Sequence, residues 1–194
     1  EIGEAVRVLA LCDARLSYRE GRYDACLEAL RYAGDEAPDA GVMEGVAHYE
    51  LGNHEQALKP LRAAWRARRD NVAVLPRLAV ALLARQEYEE LSGLVDELLA
   101  LRTPEAEEAV FIAGRKCAII GRSDVAERCL TPLLERRPRS APVRLFLGKV
   151  RIENDAPEAA LDLFNEACRL APEDPMAYHN AGLACAALGR WKEA

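Results

Sequence analysis

Six short stretches recur along the 194 residues: "EGRYDAC" at 20–26, "LGNHEQA" at 51–57, "RQEYEEL" at 85–91, "IGRSDVA" at 120–126, "NDAPEAA" at 154–160 and "LGRWKEA" at 188–194. Their last residues, 26, 57, 91, 126, 160 and 194, are spaced by 31, 34, 35, 34 and 34. A fixed period of this length allots one supersecondary unit to each repeat. Such a unit has too little apolar surface to fold alone and must bury it against its neighbours.

Each stretch reads as a turn between two helices. Gly21, Gly52, Gly121 and Gly189 end one helix in the left-handed conformation, and a second helix follows at once. Asp155 with Glu158 reads as a capping box and Ser123 as an N-cap. Thr103-Pro104 and Asp174-Pro175 each place an N-cap before a proline at the first helical position, which opens the other helix of the unit. No strand-like alternation survives, so the reading is all-α. Inside the first helix, Gly45, Gly114, Gly148 and Gly182 keep register, with Ala79 and Ala14 in the remaining slots. A mid-helix glycine costs about 1 kcal/mol against alanine, so its recurrence predicts a close crossing. Ala57, Ala126 and Ala160 are the expected small partners. A large apolar residue stands four further on at Leu30, Leu61, Val95, Leu130 and Phe164, and Pro38, Pro138 and Pro172 close units.

This combination of apolar residue and Gly, turn, Ala, large apolar residue and closing Pro resembles the tetratricopeptide repeat (TPR) family. Residues 141–172 carry it well in Leu147-Gly148, Ala160, Phe164, Ala167 and Pro172; residues 175–194 carry Tyr178, Gly182, Gly189, Trp191 and Ala194. The unit at 72–103 is the most degenerate, with Gln86 for the turn glycine and Leu91 for the small residue. The resemblance implies a right-handed α-α superhelix, a solenoid of about five complete hairpins and a partial sixth. Its units are 5–38, 39–70, 71–103, 104–138, 139–172 and the incomplete 173–194. The 31-residue interval predicts a shortened first helix near "DEAPDAGV". In the last unit Ala181, Cys185 and Leu188 form a face without its second helix. The expectation is that the natural chain continues or that another surface covers this face, which makes self-association through the incomplete repeat a further expectation.

Composition and charge narrow the function. Half the residues are apolar and nearly a third charged, which excludes disorder. A net charge of −6 argues against nucleic acid. The most apolar run, "VAVLPRLAVALLA", is broken by Pro76 and Arg77, so no membrane insertion is expected. No signal peptide is visible, and the expected location is the cytoplasm, or the periplasm if a signal sequence has been removed. Cys12, Cys26, Cys117, Cys129, Cys168 and Cys185 are dispersed as small buried hydrophobes would be, although adjacent helices could pair Cys117 with Cys129. His48 and His54 flank one turn, with Glu50 and Glu55 nearby, and read as ordinary side chains rather than metal ligands. No nucleophile elbow, phosphate loop or dinucleotide fingerprint occurs. The chain reads as non-catalytic, with no cofactor and no metal.

Function then falls to surface, and the resemblance implies that first helices line a concave groove for a protein or peptide partner. By register the groove positions run Leu11, Arg15, Tyr18; Val42, Val46, Tyr49; Val80, Leu83; Phe111, Arg115, Ala118; Leu145, Lys149, Ile152; and His179, Leu183. Tyr49, Val80, Leu83, Phe111, Arg115, Leu145 and Lys149 are the candidate partner-binding residues. The set lacks a carboxylate clamp. It also lacks an asparagine ladder, since only Asn180 stands where Cys12, Met43, Arg77, Ile112 and Phe146 stand in the other units. An apolar peptide or helix fits these positions, against the alternative that they are buried within the chain. The basic run Arg62, Arg66, Arg68, Arg69, with Arg77, reads as a solvated edge or as a site for an acidic partner. The scaffold reading competes with a substrate-presenting repeat region of a larger enzyme and with an assembly factor of a bacterial envelope or secretion system.

Overall fold

The computed structural model describes residues 2–34, 37, 39–68 and 74–190, with Ile2 by its backbone alone. Pro38, Arg69, Trp191 and Ala194 lie outside the described residues. Among the described residues the secondary structure is helical throughout: α1 (Ile2–Arg19), α2 (Tyr23–Ala33), α3 (Ala40–Glu50), α4 (His54–Ala67), α5 (Val74–Ala84), α6 (Tyr88–Leu101), α7 (Pro104–Ile119), α8 (Ser123–Arg136), α9 (Ala141–Glu153), α10 (Pro157–Leu170) and α11 (Pro175–Ala187). Odd-numbered helices are the first of each repeat and even-numbered ones the second. The chain divides into two compact units, residues 1–91 and 92–194. In the first, α1 packs on α2 and α3 on α4, with α1–α3 and α3–α5 contacts joining successive first helices. In the second, α7 packs on α8 and α9 on α10, with α7–α9 and α9–α11 contacts.

The turns explain why the period is strict. Six successive turns make one hydrogen bond at one register: the amides of Arg22, Asn53, Glu87, Arg122, Ala156 and Arg190 donate to the carbonyls of Ser17, His48, Leu82, Cys117, Arg151 and Cys185, at 2.8–3.0 Å. This six-to-one closure needs a left-handed residue just before the donor. Gly121 supplies it with φ 76°, and in the equivalent places Gln86 has φ 61° and Asp155 φ 56°. Asp155 is therefore a turn residue and not the N-cap of a capping box; Ala156 holds the N-cap position without a side-chain cap. Ser123 is likewise the first residue of α8, after Arg122 at the cap position, and its hydroxyl donates to Glu153 instead. Thr103 and Asp174 do cap, accepting from the amides of Ala106 (3.2 Å) and Met176 (2.9 Å).

Helices α3 and α5 each have 11 residues, against 18 in α1 and 16 in α7, so helix length does not by itself mark the short interval. The helix crossings are close where glycine recurs. A Cβ on Gly45, Gly114 or Gly148 would fall within 3 Å of Leu61, of Cys129 and Leu130, or of the Phe164 ring. The atoms nearest the glycine belong to the large residue four positions after the alanine, joined at Gly114 by Cys129. In the second unit Phe164 centres a core with Ala141, Leu145, Ala160 and Ala167. Ala181 and Leu188, both half-buried, pack against that core and Cys185 belongs to it, so the core of this unit covers the face in part. All six cysteines are free, Cys117 and Cys129 included.

Candidate partner-binding site

The stacking of first helices brings α7, α9 and α11 side by side in the second unit, and the inward positions of the repeat then form one surface. Phe111 of α7 and Phe146 of α9 meet edge to face, with centroids 6.1 Å apart and planes at 65°. This is the geometry favoured by the ring quadrupoles. Each ring carries a cation from one turn further along its own helix: the Arg115 guanidinium lies 6.0 Å from the Phe111 centroid, and the Lys149 ammonium 5.5 Å from that of Phe146. Arg115 is exposed and Lys149 half-buried. Neither forms an ion pair among the described residues. Beyond them, towards the ends of α7 and α9, Ile119 is 62% exposed, and Leu183 of α11 is 54% exposed. A shallow pocket of about 270 Å³ lies between these helices, over Phe164 and beside Asn180.

The first unit presents the same register with different electrostatics. Arg15 is held by Asp39, with Nε–Oδ2 at 2.8 Å. Arg77 lies 5.8 Å over the Tyr49 ring and is held by Glu50 at 2.9 Å. Tyr49 also meets His54 at 5.3 Å, and burial pushes its phenol above the ordinary value, with Glu50 adding to the shift. These basic side chains are already satisfied by carboxylates of their own unit.

Of the candidate residues, Tyr49, Val80, Phe111 and Lys149 are half-buried and Arg115 is exposed. Leu83 and Leu145 are only 4% and 6% exposed. Those two are core residues, because neighbouring helices close over them, and they have little surface left for a ligand. The sequence reading passed over Ile119. Its signal was a large apolar residue at the last position of a helix, next to the register position that Ala118 occupies; Ala118 itself is buried. Of the basic run, Arg62 bridges Glu87 and Glu90 at 2.5 and 2.6 Å, and Arg77 is paired as above. Among the described residues, no group of three or more His, Cys, Asp or Glu side chains comes together to hold a metal, and no helix is long and apolar enough to cross a membrane.

The model of the tetratricopeptide repeat family matches residues 42–90 and 120–175, together more than half of the chain. No curated protein matches the sequence. Among solved structures, MamA from Desulfovibrio magneticus RS-1, from residue 41 to its end, is 21% identical with a TM-score of 0.65, over 82% of this chain and 89% of that one. YrrB, described as a TPR protein with an unusual peptide-binding site, is 20% identical with a TM-score of 0.68, over 86% of this chain and 87% of that one. A tetratricopeptide repeat protein from Parabacteroides merdae is 18% identical with a TM-score of 0.67, over 96% and 75%. At these identities the likeness is one of fold.

Proposed function

Because the chain belongs to the tetratricopeptide repeat family, we propose that it is a non-catalytic scaffold whose first helices bind an apolar peptide with acidic flanks. The family's fold implies a protein partner, and the proposal adds that the bound segment is apolar with acidic flanks. One observation carries it. In a chain of net charge −6, Arg115 and Lys149 sit over a paired aromatic surface without a carboxylate of their own. An apolar partner segment would cover Phe111 and Phe146, and its carboxylates would meet the two cations. Tyr49 and Val80 offer the corresponding surface of the first unit.

The energetics order the contacts. A cation at a solvated rim contributes about 0.2–1 kcal/mol, whereas truncating a buried aromatic anchor costs about 2 kcal/mol or more. Panning a displayed random-peptide library against the chain should enrich apolar sequences flanked by Asp or Glu. Phe111→Ala should then weaken an enriched peptide far more than Lys149→Ala, with melting curves checking that both variants fold. The reverse order, or steep weakening by salt, would mean that recognition is electrostatic and that the aromatic surface is not the anchor.

A further inference from the structure

We infer that the first unit carries a separate small-molecule site, a cleft between α2 and α4 that takes a compound with an apolar stem and one anionic group, a carboxylate or a phosphate. Helices α2 and α4 both pack on α3 without touching each other, so a cleft runs between them with α3 as its floor. Its volume is about 490 Å³, within the roughly 300–1,000 Å³ of small-molecule sites. None of the candidate partner-binding residues lines it.

The repeat register explains why this cleft is open. Gly41 of α3 and Ala63 of α4 line it, and a Cβ on Gly41 would meet nothing within 4 Å. At the register set by Gly45 and Gly148, the same two positions in the second unit are Arg144 of α9 and Glu166 of α10. Arg144 buries its Nε and Nη1, and the Glu166 carboxyl is held below the usual range by Arg169 first and by Arg144 after it. There a long side chain of the protein itself, with a charge at its end, takes the place. The first unit lacks both that side chain and its carboxylate.

The charges at the opening are also reversed. Arg31 of α2 and Lys59 of α4 line the cleft from opposite sides, where the second unit has Thr131 and Asp162. Both cations are exposed, and neither forms an ion pair among the described residues. Glu44 of α3 also lines the cleft, one carboxylate against two cations. His48, beside it, has a buried Nδ1 without a hydrogen-bond partner, and an imidazole N–H can donate to an oxyanion. Leu27, Leu30 and Pro60 supply apolar wall. An anion between Arg31 and Lys59, with its apolar stem laid over Gly41, meets each of these features.

The test uses octanoate, octyl phosphate, octylamine and octanol, which share one stem and differ in charge. Each is titrated against the full chain below its micelle concentration, and two-dimensional amide spectra locate the site. One or both anions should bind and shift the amides of Gly41, Glu44 and His48, the tighter of the two identifying the anionic group; octylamine and octanol should not bind detectably. Reversing both cations, Arg31→Glu with Lys59→Glu, should weaken the anion roughly tenfold or more. Gly41→Leu and Ala63→Leu each put a stem of the protein's own into the cleft and should abolish binding without lowering the melting temperature. Binding of octylamine as tight as that of the anions, shifts confined to α7, α9 and α11, or undiminished binding to both filled variants would overturn the inference. So would no binding by either anion, or a fall in melting temperature in both filled variants, which would mean that the cleft is not open. None of these failures touches the groove reading, which stands or falls with Phe111→Ala in the peptide assay.

Discussion

Gly148 and Gly93 separate two uses of glycine at single positions. Gly148 lies against the Phe164 ring, which is almost wholly buried. Gly148→Leu should overpack this crossing and lower stability by about 1–3 kcal/mol in urea unfolding. Gly93, inside α6, has open space where a Cβ would be. Gly93→Ala should therefore raise stability by up to about 1 kcal/mol, the helix-propensity difference alone. Equal effects of the two substitutions would mean that the crossing is not close. The buried thiols make a second residue-scale case. Burial pushes Cys117 from 9.0 up to about 11 and Cys129 from 9.0 up to about 12. A thiol whose folded value is raised keeps its proton while the unfolded chain loses it. Its contribution is thus complete below pH 9.0 and is lost as pH rises through the folded values, by at most about 1.4 kcal/mol per pH unit for each thiol. Cys129→Ala should flatten the fall in stability above that pH, and an unchanged slope would rule the thiol out as its cause.

At the scale of the element, one turn geometry serves six different sequences. The closing hydrogen bond is the same whether the left-handed residue is Gly121, Gln86 or Asp155. Side chains other than glycine are disfavoured there because Cβ crowds the carbonyl, by about 1–2 kcal/mol for an ordinary residue and less for Asp. Asp155→Gly should then gain on the order of 0.5–1 kcal/mol, read as a higher denaturation midpoint with an unchanged m-value. A loss would mean that the Asp155 side chain makes a contribution beyond filling the turn. The second helices are the amphipathic members of each pair. Helices α4, α8 and α10 bury one face against the glycine of the first helix, and second helices also reach neighbouring elements: Arg62 of α4 to Glu87 and Glu90, Arg128 of α8 to Asp96, Glu127 of α8 to Arg151 of α9. These pairs are partly solvated and add register more than stability.

At the scale of the molecule, a repeat chain holds each hairpin only through its neighbours, so protection against opening varies along it. In the first unit α5 buries Val74, Leu75, Leu78, Ala79, Ala81, Leu82 and Leu83, whereas α1 leaves Val6, Val8, Leu9 and Leu16 half or more exposed. Hydrogen exchange should find the amides of α1 the less protected by a wide margin. Equal protection of the two helices would mean that residues 1–91 open as one cooperative block.

What the sequence by itself determined is whatever depends on residues close together along the chain. The 34-residue period, the turn at the end of each first helix, the caps at Thr103 and Asp174 and the all-helical class are of this kind, because a turn or a cap is closed by atoms a few residues apart. Only the tertiary structure decided which side chain a helix crossing accepts and which groove cation is already satisfied. Arg15 and Arg115 hold the same register position, yet one is neutralised by Asp39 and the other lies over Phe111. The carboxylate that makes the difference stands 24 residues from Arg15 in the chain. Leu83 and Phe111 were equal candidates as apolar groove residues, and the packing of neighbouring helices buried one and left part of the other open. Asn180 Nδ2 finds no acceptor among the described residues, and that too is a property of the space between helices and not of any segment of the chain.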